Sequence, residues 1–179
     1  MSAGPPPNPA PASPVPLSVS PRFSIAFAED ADLPACAALL DEMHHHYRGL
    51  EGHEQDLPPR DLIEQEARRW IAEAEGIRLL LARDASTRAP AALACLAVLR
   101  PGRALKGLVF VKDLYVAEAA RRRGAGRAVL TWLFDWARAE GLGRVDLATD
   151  IANAPARALY ASLGGDERPE AGFVRFDLS

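Results

Sequence analysis

Apolar residues alternate with polar or small ones in several short stretches, and each of these stretches predicts a β-strand. The first contains Phe23, Ile25 and Phe27. Two longer apolar runs, 77–83 and 91–100, flank the segment DASTRAP, whose Asp, Ser and Pro favour a turn, so we predict an antiparallel hairpin. Further strands are predicted at residues 107–116, at Val145 and Leu147, and at Phe173, Phe176 and Leu178.

Four other stretches carry apolar residues at helical spacing. The first runs from Leu33 to Tyr47 with Asp30 as the predicted N-cap, and residues 49–59 break its pattern. A second is predicted over 60–74, a third ends at Gly141, and a fourth covers 150–163. Together with the strands they predict a mixed α/β fold, in which strands one to four are largely antiparallel and the fifth lies parallel to the fourth.

Composition divides the chain into a tail and one domain. Residues 1–21 hold eight of the 15 prolines among Ala, Ser and Gly, a composition that opposes helix and sheet and predicts a disordered tail. The chain has 179 residues, of which 49% are hydrophobic, enough for one sizeable core but not for two. We therefore predict a single domain over 22–179.

Charge and cysteine content narrow the classes of function and location. The net charge of −3 disfavours a nucleic-acid partner. Cys36 and Cys95 lie in apolar runs without metal-ligand spacing, which is typical of buried free thiols in a reducing compartment. No apolar run is long enough to span a bilayer, and the N-terminus lacks the features of a signal peptide. We expect a cytoplasmic protein with no membrane partner.

Candidate chemistry concentrates between Lys112 and Gly141, where a predicted strand, a basic glycine loop and a helix follow one another. The first amides of a helix lack intrahelical acceptors, so a loop that lets a ligand approach them binds anions. Arg121, Arg122, Arg123 and Arg127 add positive charge to this stretch. A dinucleotide-binding turn fits poorly, because Val129 occupies its third small position and the loop is too long, and no Gly-Lys-Ser/Thr of a P-loop is present.

Two motifs in this part of the chain resemble those of the GNAT superfamily of acetyl-CoA-dependent N-acetyltransferases. Arg121, Gly124 and Gly126 match the cofactor signature of that family, and a second signature is matched downstream by Asn153, Ala156, Leu159 and Tyr160. The resemblance covers all of the chain except the tail. It implies a GNAT-type sandwich with a central mixed sheet of six to seven strands and four flanking helices. Gly165 departs from the family, many of whose members carry an apolar residue there.

The resemblance also implies which residues hold acetyl-CoA as the acetyl donor. The backbone of the fourth strand would pair with the pantetheine arm and polarise the acetyl carbonyl, and the loop amides would hold the pyrophosphate. Tyr160 would protonate the leaving thiolate, which makes it a predicted catalytic residue. The predicted cofactor-binding residues are Leu114, Tyr115, Val116, Arg121, Arg122, Arg123, Gly124, Ala125, Gly126, Arg127, Asn153 and Tyr160.

The sequence identifies neither the acceptor amine nor the group that deprotonates it. Asp113, Asp146, Glu42 and His44 are candidate bases, of which Asp113 is taken as the second catalytic residue. The strand FVKDLYV resembles that of the spermidine/spermine acetyltransferases, but Lys112 stands where those enzymes have a glutamate, which disfavours a polyamine acceptor. Consecutive helical residues point about 100° apart, so His44, His45 and His46 cannot converge on one metal ion, and no metal is predicted.

The predicted reaction is direct acetyl transfer to a primary amine of a small-molecule or peptide acceptor. The helices of residues 33–74 are expected to select the acceptor, and Glu42, Glu51, Glu54 and Asp56 would suit a cationic one. The alternative is an acyl-CoA-binding regulatory or interaction module without turnover. Members of the family often form homodimers, although the sequence indicates no interface.

Overall fold

The structure, a computed structural model, describes residues 20, 22–51, 57–72, 76–99 and 106–168. The predicted tail, apart from Ser20, lies outside these ranges, and so do the acidic residues Glu54 and Asp56 and the predicted closing strand. In chain order the helices and strands are β1 (Phe23–Phe27), α1 (Leu33–Glu51), α2 (Arg60–Ile71), β2 (Ile77–Asp84), β3 (Pro90–Leu99), β4 (Leu108–Val116), α3 (Ala125–Ala139), β5 (Arg144–Leu147) and α4 (Ala154–Ser162).

The five strands form one mixed sheet in the order β1-β2-β3-β4-β5. β1 to β4 pair antiparallel, and β5 pairs parallel with β4. The predicted directions of these five strands and the hairpin between β2 and β3 are therefore confirmed. The sheet has five strands within the described residues, slightly fewer than the six to seven that the resemblance implies.

The core lies on both faces of the sheet. Residues 79–82 of β2 and 91–96 of β3 are buried without interruption, a pattern that arises when both faces of a strand are covered. α3 contacts all five strands, while α1 contacts β3 and α2 contacts β2. Phe27 of β1 packs edge-on against Trp132 and Trp136 of α3, with ring centroids 5.3 and 5.0 Å apart.

Several predicted helix boundaries are wrong. A 3₁₀ turn at Asp30–Asp32 precedes α1, with Glu29 as its N-cap, so Asp30 does not cap α1. α1 continues through Gly49 to Glu51, and α2 ends at Ile71 instead of residue 74. α4 begins only at Ala154, because the side chain of Asn153 accepts a hydrogen bond from the Ala156 amide at 3.2 Å and thereby caps the helix.

The chain divides after Ala148 into two compact units, and a single domain over 22–179 stays a prediction. Both cysteines are buried free thiols, as predicted, and burial raises the pKa of each to about 12. Within the described ranges no helix is long and apolar enough to cross a membrane.

Candidate active site

Only the first half of β4 pairs with its parallel neighbour β5. Cys95 of β3 pairs with Asp113, but the next residue of β3, Leu96, pairs with Val111, so Lys112 is the extra residue of a β-bulge. On the other side of β4, pairing with β5 ends at Val111. Within the part of the chain that the structure describes, no strand pairs with this edge of β4 from Lys112 to Val116. We refer to it as the open edge.

Two backbone amides point toward the open edge. The Ala117 amide donates to the Ala91 carbonyl of β3 at 3.0 Å. Because successive residues of an extended chain direct their amides to opposite sides, the amides of Leu114 and Val116 point away from β3. The Val116 carbonyl shares this direction and accepts a hydrogen bond from Arg121 Nε at 3.2 Å. The open edge thus offers two N–H donors to an extended ligand.

Residues Arg121–Gly126, which we call the glycine loop, follow β4 and include the first two residues of α3. Arg122 and Gly124 adopt positive φ values of 58° and 90°. A Cβ at Gly124 would meet no protein atom within 4 Å, so its backbone conformation and not protein packing favours glycine here. The first intrahelical bond of α3 runs from the Ala128 amide to the Gly124 carbonyl, so the amides of Ala125 and Gly126 precede the helical ladder. This arrangement suits an anion.

The arginines of the loop have different roles. Arg121 turns back over β4, where its Nη2 lies 3.5 Å from the Tyr115 hydroxyl. Arg123 Nη2 donates to Asp84 Oδ2 at 2.7 Å. Both side chains therefore contribute to the structure of the loop, which the sequence did not indicate. Arg122 and Arg127 are exposed and keep the surface of the loop positive.

Tyr115 connects β4 to α1 through its side chain. It is 4% exposed, and its hydroxyl donates to Glu42 Oε1 at 3.0 Å. The same oxygen accepts the backbone amide of Glu118 at 3.0 Å, so Glu42 holds both the strand and the start of the following turn. Burial and the Glu42 carboxylate raise the pKa of Tyr115 to about 12. Sequence reasoning listed Glu42 as a candidate base and missed this contact, because 73 residues separate the two side chains.

Of the other candidate bases, Asp113 and His44 belong to one cluster. Asp113 is 33% exposed and lies 3.9 Å from the Lys112 ammonium. The pKa of His44 is lowered, chiefly by burial and by Arg48, while the charge of Asp113 acts in the opposite direction. Asp146 instead forms an ion pair with Arg144 at 2.9 Å. Asp113 and His44 are thus near enough to interact electrostatically on the α1 side of β4.

The three consecutive histidines diverge, as helical geometry predicts. His45 Nδ1 donates to the Asp41 carbonyl at 2.8 Å, whereas the His46 ring lies 5.9 Å from the ring of Tyr115. Among the described residues no group of three or more His, Cys, Asp or Glu side chains could hold a metal ion.

The second unit contains the other predicted site residues. Asn153 and Tyr160 lie at opposite ends of α4, and Tyr160 is half-buried. The helix ends in a Schellman motif, in which the Gly165 amide donates to the Tyr160 carbonyl at 2.9 Å and Gly164 has a φ of 82°. A Cβ at residue 165 would lie 2.9 Å from that carbonyl oxygen, which explains the glycine that departs from the family pattern.

Comparison with known proteins identifies the family of the chain. Residues 37–164 match the family model described as Acetyltransferase (GNAT) family. An uncharacterized N-acetyltransferase of Bacillus subtilis (strain 168), YhfO, is 29% identical over 160 residues, which cover 88% of this chain and 97% of that protein. Aminoglycoside N(6′)-acetyltransferase type 1 of Serratia marcescens is 34% identical over 71 residues, which are 40% of this chain and 49% of that enzyme.

Solved structures show the same fold. AAC(6′)-Iy, in complex with the bisubstrate analogue CoA-S-monomethyl-acetylneamine, superposes with a TM-score of 0.67 at 15% sequence identity. The superposition covers 87% of this chain and 98% of that one. The match confirms the mixed α/β sandwich that the sequence predicts.

The contact between Glu42 and Tyr115 can be tested by titration. Glu42→Gln removes a negative charge that raises the pKa of Tyr115, so this pKa should fall from about 12 toward the ordinary value near 10 and stay above it because the ring remains buried. The pKa is measured by NMR on protein labelled at tyrosine Cζ. Glu66→Gln on α2, which removes a carboxylate that bonds to Arg69, is the matched control. An unchanged Tyr115 pKa in Glu42→Gln would contradict the contact.

Proposed function

The chain belongs to the GNAT acetyltransferase family, and from this premise we propose that it transfers an acetyl group directly from acetyl-CoA to a primary amine. The observation that carries the proposal is the position of the open edge of β4 and the N-terminus of α3 at the two ends of one short loop. The open edge offers outward amides to an extended chain, and the N-terminus of α3 offers amides to a phosphate. Coenzyme A contains both of these groups.

The residues of the glycine loop fit such a ligand. The amides of Ala125 and Gly126 would hold the pyrophosphate, and Arg122 and Arg127 would supply positive charge beside it. The space around Gly124 contains no protein atom within 4 Å of a Cβ position, which leaves room for a ligand to approach the backbone. Acetyl-CoA supplies an activated thioester when bound.

The open edge would orient the acetyl group. The outward amides of Leu114 and Val116 would pair with the pantetheine arm and donate to the acetyl carbonyl oxygen, where negative charge develops during transfer. The Tyr115 side chain is directed to Glu42 and its backbone pairs with Leu93 of β3, so Tyr115 supports the strand and does not face the ligand. Of the three strand residues expected from the family resemblance, this assignment therefore keeps Leu114 and Val116.

Two side chains would move protons. Asp113 is the proposed base for the acceptor amine, because it is partly exposed beside the open edge and interacts with His44. Tyr160 is the proposed acid for the leaving thiolate, with Asn153 forming the start of the same helix. His44 has a lowered pKa, so it is neutral at pH 7 and could carry the proton away from Asp113.

For the acceptor we propose a small cationic amine of the aminoglycoside class. Support comes from the relatives named as aminoglycoside acetyltransferases and from Asp113, which would attract an ammonium group. The Lys112 ammonium, 3.9 Å from Asp113, offsets part of this charge and disfavours a linear polyamine. A cytoplasmic location and a homodimer remain predictions from the sequence.

An amine screen tests the proposed reaction. The full-length protein is incubated with acetyl-CoA and a panel of aminoglycosides, polyamines, amino acids and peptides, and released coenzyme A is measured with a thiol reagent. We expect release with at least one aminoglycoside at a higher kcat/KM than with spermidine. A protein that binds acetyl-CoA but stays silent across the panel would contradict the enzymatic proposal and support a binding module without turnover.

Replacement of Tyr160 tests the acid role. Tyr160→Phe should lower kcat by about 100-fold or more, while the Kd for acetyl-CoA, measured calorimetrically, changes by less than about threefold. Ser162→Ala, which removes a hydroxyl that donates to the Leu159 carbonyl on the same helix, is the control and should leave kcat unchanged.

Unchanged turnover in Tyr160→Phe would remove the acid role. The same assay tests Asp113: Asp113→Asn should lower kcat/KM by about 100-fold or more, and an unchanged kcat/KM would assign the base to another group.

A further inference from the structure

Asp84 is a charged residue that the structure buries at the end of β2, with an exposure of 5%. Its Oδ1 accepts three hydrogen bonds from the turn that follows, namely from the Ser86 amide at 3.0 Å, the Ser86 hydroxyl at 2.6 Å and the Thr87 amide at 3.1 Å. Its Oδ2 accepts from Arg123 Nη2 at 2.7 Å. One oxygen therefore shapes the hairpin turn, and the other holds the glycine loop.

The turn alone does not require a charge at this position. Asparagine forms the same kind of turn, because its single side-chain oxygen can accept the bonds from Ser86 and Thr87. The second carboxylate oxygen is needed only for Arg123, which lies 39 residues away in the sequence. These hydrogen bonds hold the pKa of Asp84 well below its usual range, so the carboxylate is ionised throughout the neutral pH range.

Arg123 lies at a point where the backbone of the loop adopts unfavourable dihedral angles. The residues on either side of it, Arg122 and Gly124, have positive φ values of 58° and 90°. A positive φ is unfavourable for arginine and persists only when surrounding contacts impose it. Arg123 is fixed by Asp84 at its side chain and by Arg22 at its carbonyl, where Arg22 Nη1 donates at 3.3 Å.

We infer that Asp84 is a positioning residue for the donor site, which acts through Arg123 to hold the glycine loop in the conformation that presents the Ala125 and Gly126 amides. The inference rests on the proposed function, since it assigns the loop to the phosphates of acetyl-CoA. Asp84 does not touch the ligand in this account. Loss of the Asp84 carboxylate leaves the reacting groups of the site in place but lets the loop sample other conformations. Acetyl-CoA binding therefore weakens, while the rate of the chemical step stays the same.

The test compares Asp84→Asn with Asp135→Asn, which removes the same charge from an exposed ion pair with Arg138 on α3. Asp84→Asn should raise the Kd and KM for acetyl-CoA about tenfold with kcat within about twofold of the wild type, because preorganisation is lost while the reacting groups remain. Hydrogen exchange of the amides of residues 122–126, measured without ligand, should be faster in Asp84→Asn alone. Asp135→Asn should match the wild type in every readout.

A second variant separates positioning from direct contact. If Asp84 acts through Arg123, Arg123→Gln should weaken binding as much as Asp84→Asn does, and the double variant should bind no more weakly than either single variant. Tighter or unchanged binding in Asp84→Asn, together with weak binding in Arg123→Gln, would show that Arg123 itself contacts the ligand, and would overturn the inference.

The two proposals can fail separately. If the wild-type protein binds no acetyl-CoA, the proposed function fails, and the exchange rates of the loop amides still decide whether Asp84 holds the loop. If the wild type binds acetyl-CoA and Asp84→Asn equals it in both Kd and exchange rate, the inference fails while the proposed function stands.

Discussion

The separation of β4 from β5 after Val111 is the constraint on which the rest of the site depends. A sheet normally satisfies the backbone groups of an inner strand on both sides, and an unpaired buried amide is costly. β4 continues for five residues beyond its last pair with β5, so the outward amides of Leu114 and Val116 need either water or a ligand. The bulge at Lys112 occurs at the same level, and a bulge bends the strand that contains it.

Two contacts from distant parts of the chain fix the loop that follows this separation. Glu42 of α1 accepts from both Tyr115 and the Glu118 amide, and Asp84 of β2 holds Arg123. The first contact fixes where the loop leaves β4, and the second fixes where it enters α3. Both acidic partners precede the loop in the sequence and accept through carboxylate oxygens, which form stronger bonds than neutral acceptors do. The loop therefore depends on tertiary contacts more than on its own sequence.

The local parts of this arrangement could be predicted from the sequence. The apolar spacing of Val129, Leu133 and Trp136 predicts α3, and alternation around Val145 predicts β5, because each pattern reflects burial on one face of a single element. The sequence also contains a signal for the start of α4, since Asn153 followed by Pro155 is a typical capping sequence, but the prediction placed the start at residue 150, four residues too early.

The contacts that shape the site could not be predicted in this way. Glu42 and Tyr115 are 73 residues apart, and Asp84 and Arg123 are 39 residues apart, so no local pattern connects them. The bulge at Lys112 depends on the register between β3 and β4, which a single strand does not specify. Arg121 and Arg123 were expected at the ligand because of their charge, whereas their side chains bond to β4 and to Asp84.

The most direct test of the proposed acetyl-CoA site, formed by the open edge and the glycine loop, is an amide NMR titration of the ¹⁵N-labelled full chain with acetyl-CoA. We predict that the largest and saturable shifts occur at two separate places, the amides of Leu114 and Val116 on the open edge and those of Gly124, Ala125 and Gly126 at the start of α3. The amides of β1, which lies at the far edge of the sheet, should change little. Absence of shifts at both places with saturating acetyl-CoA, or shifts confined to other residues, would contradict it.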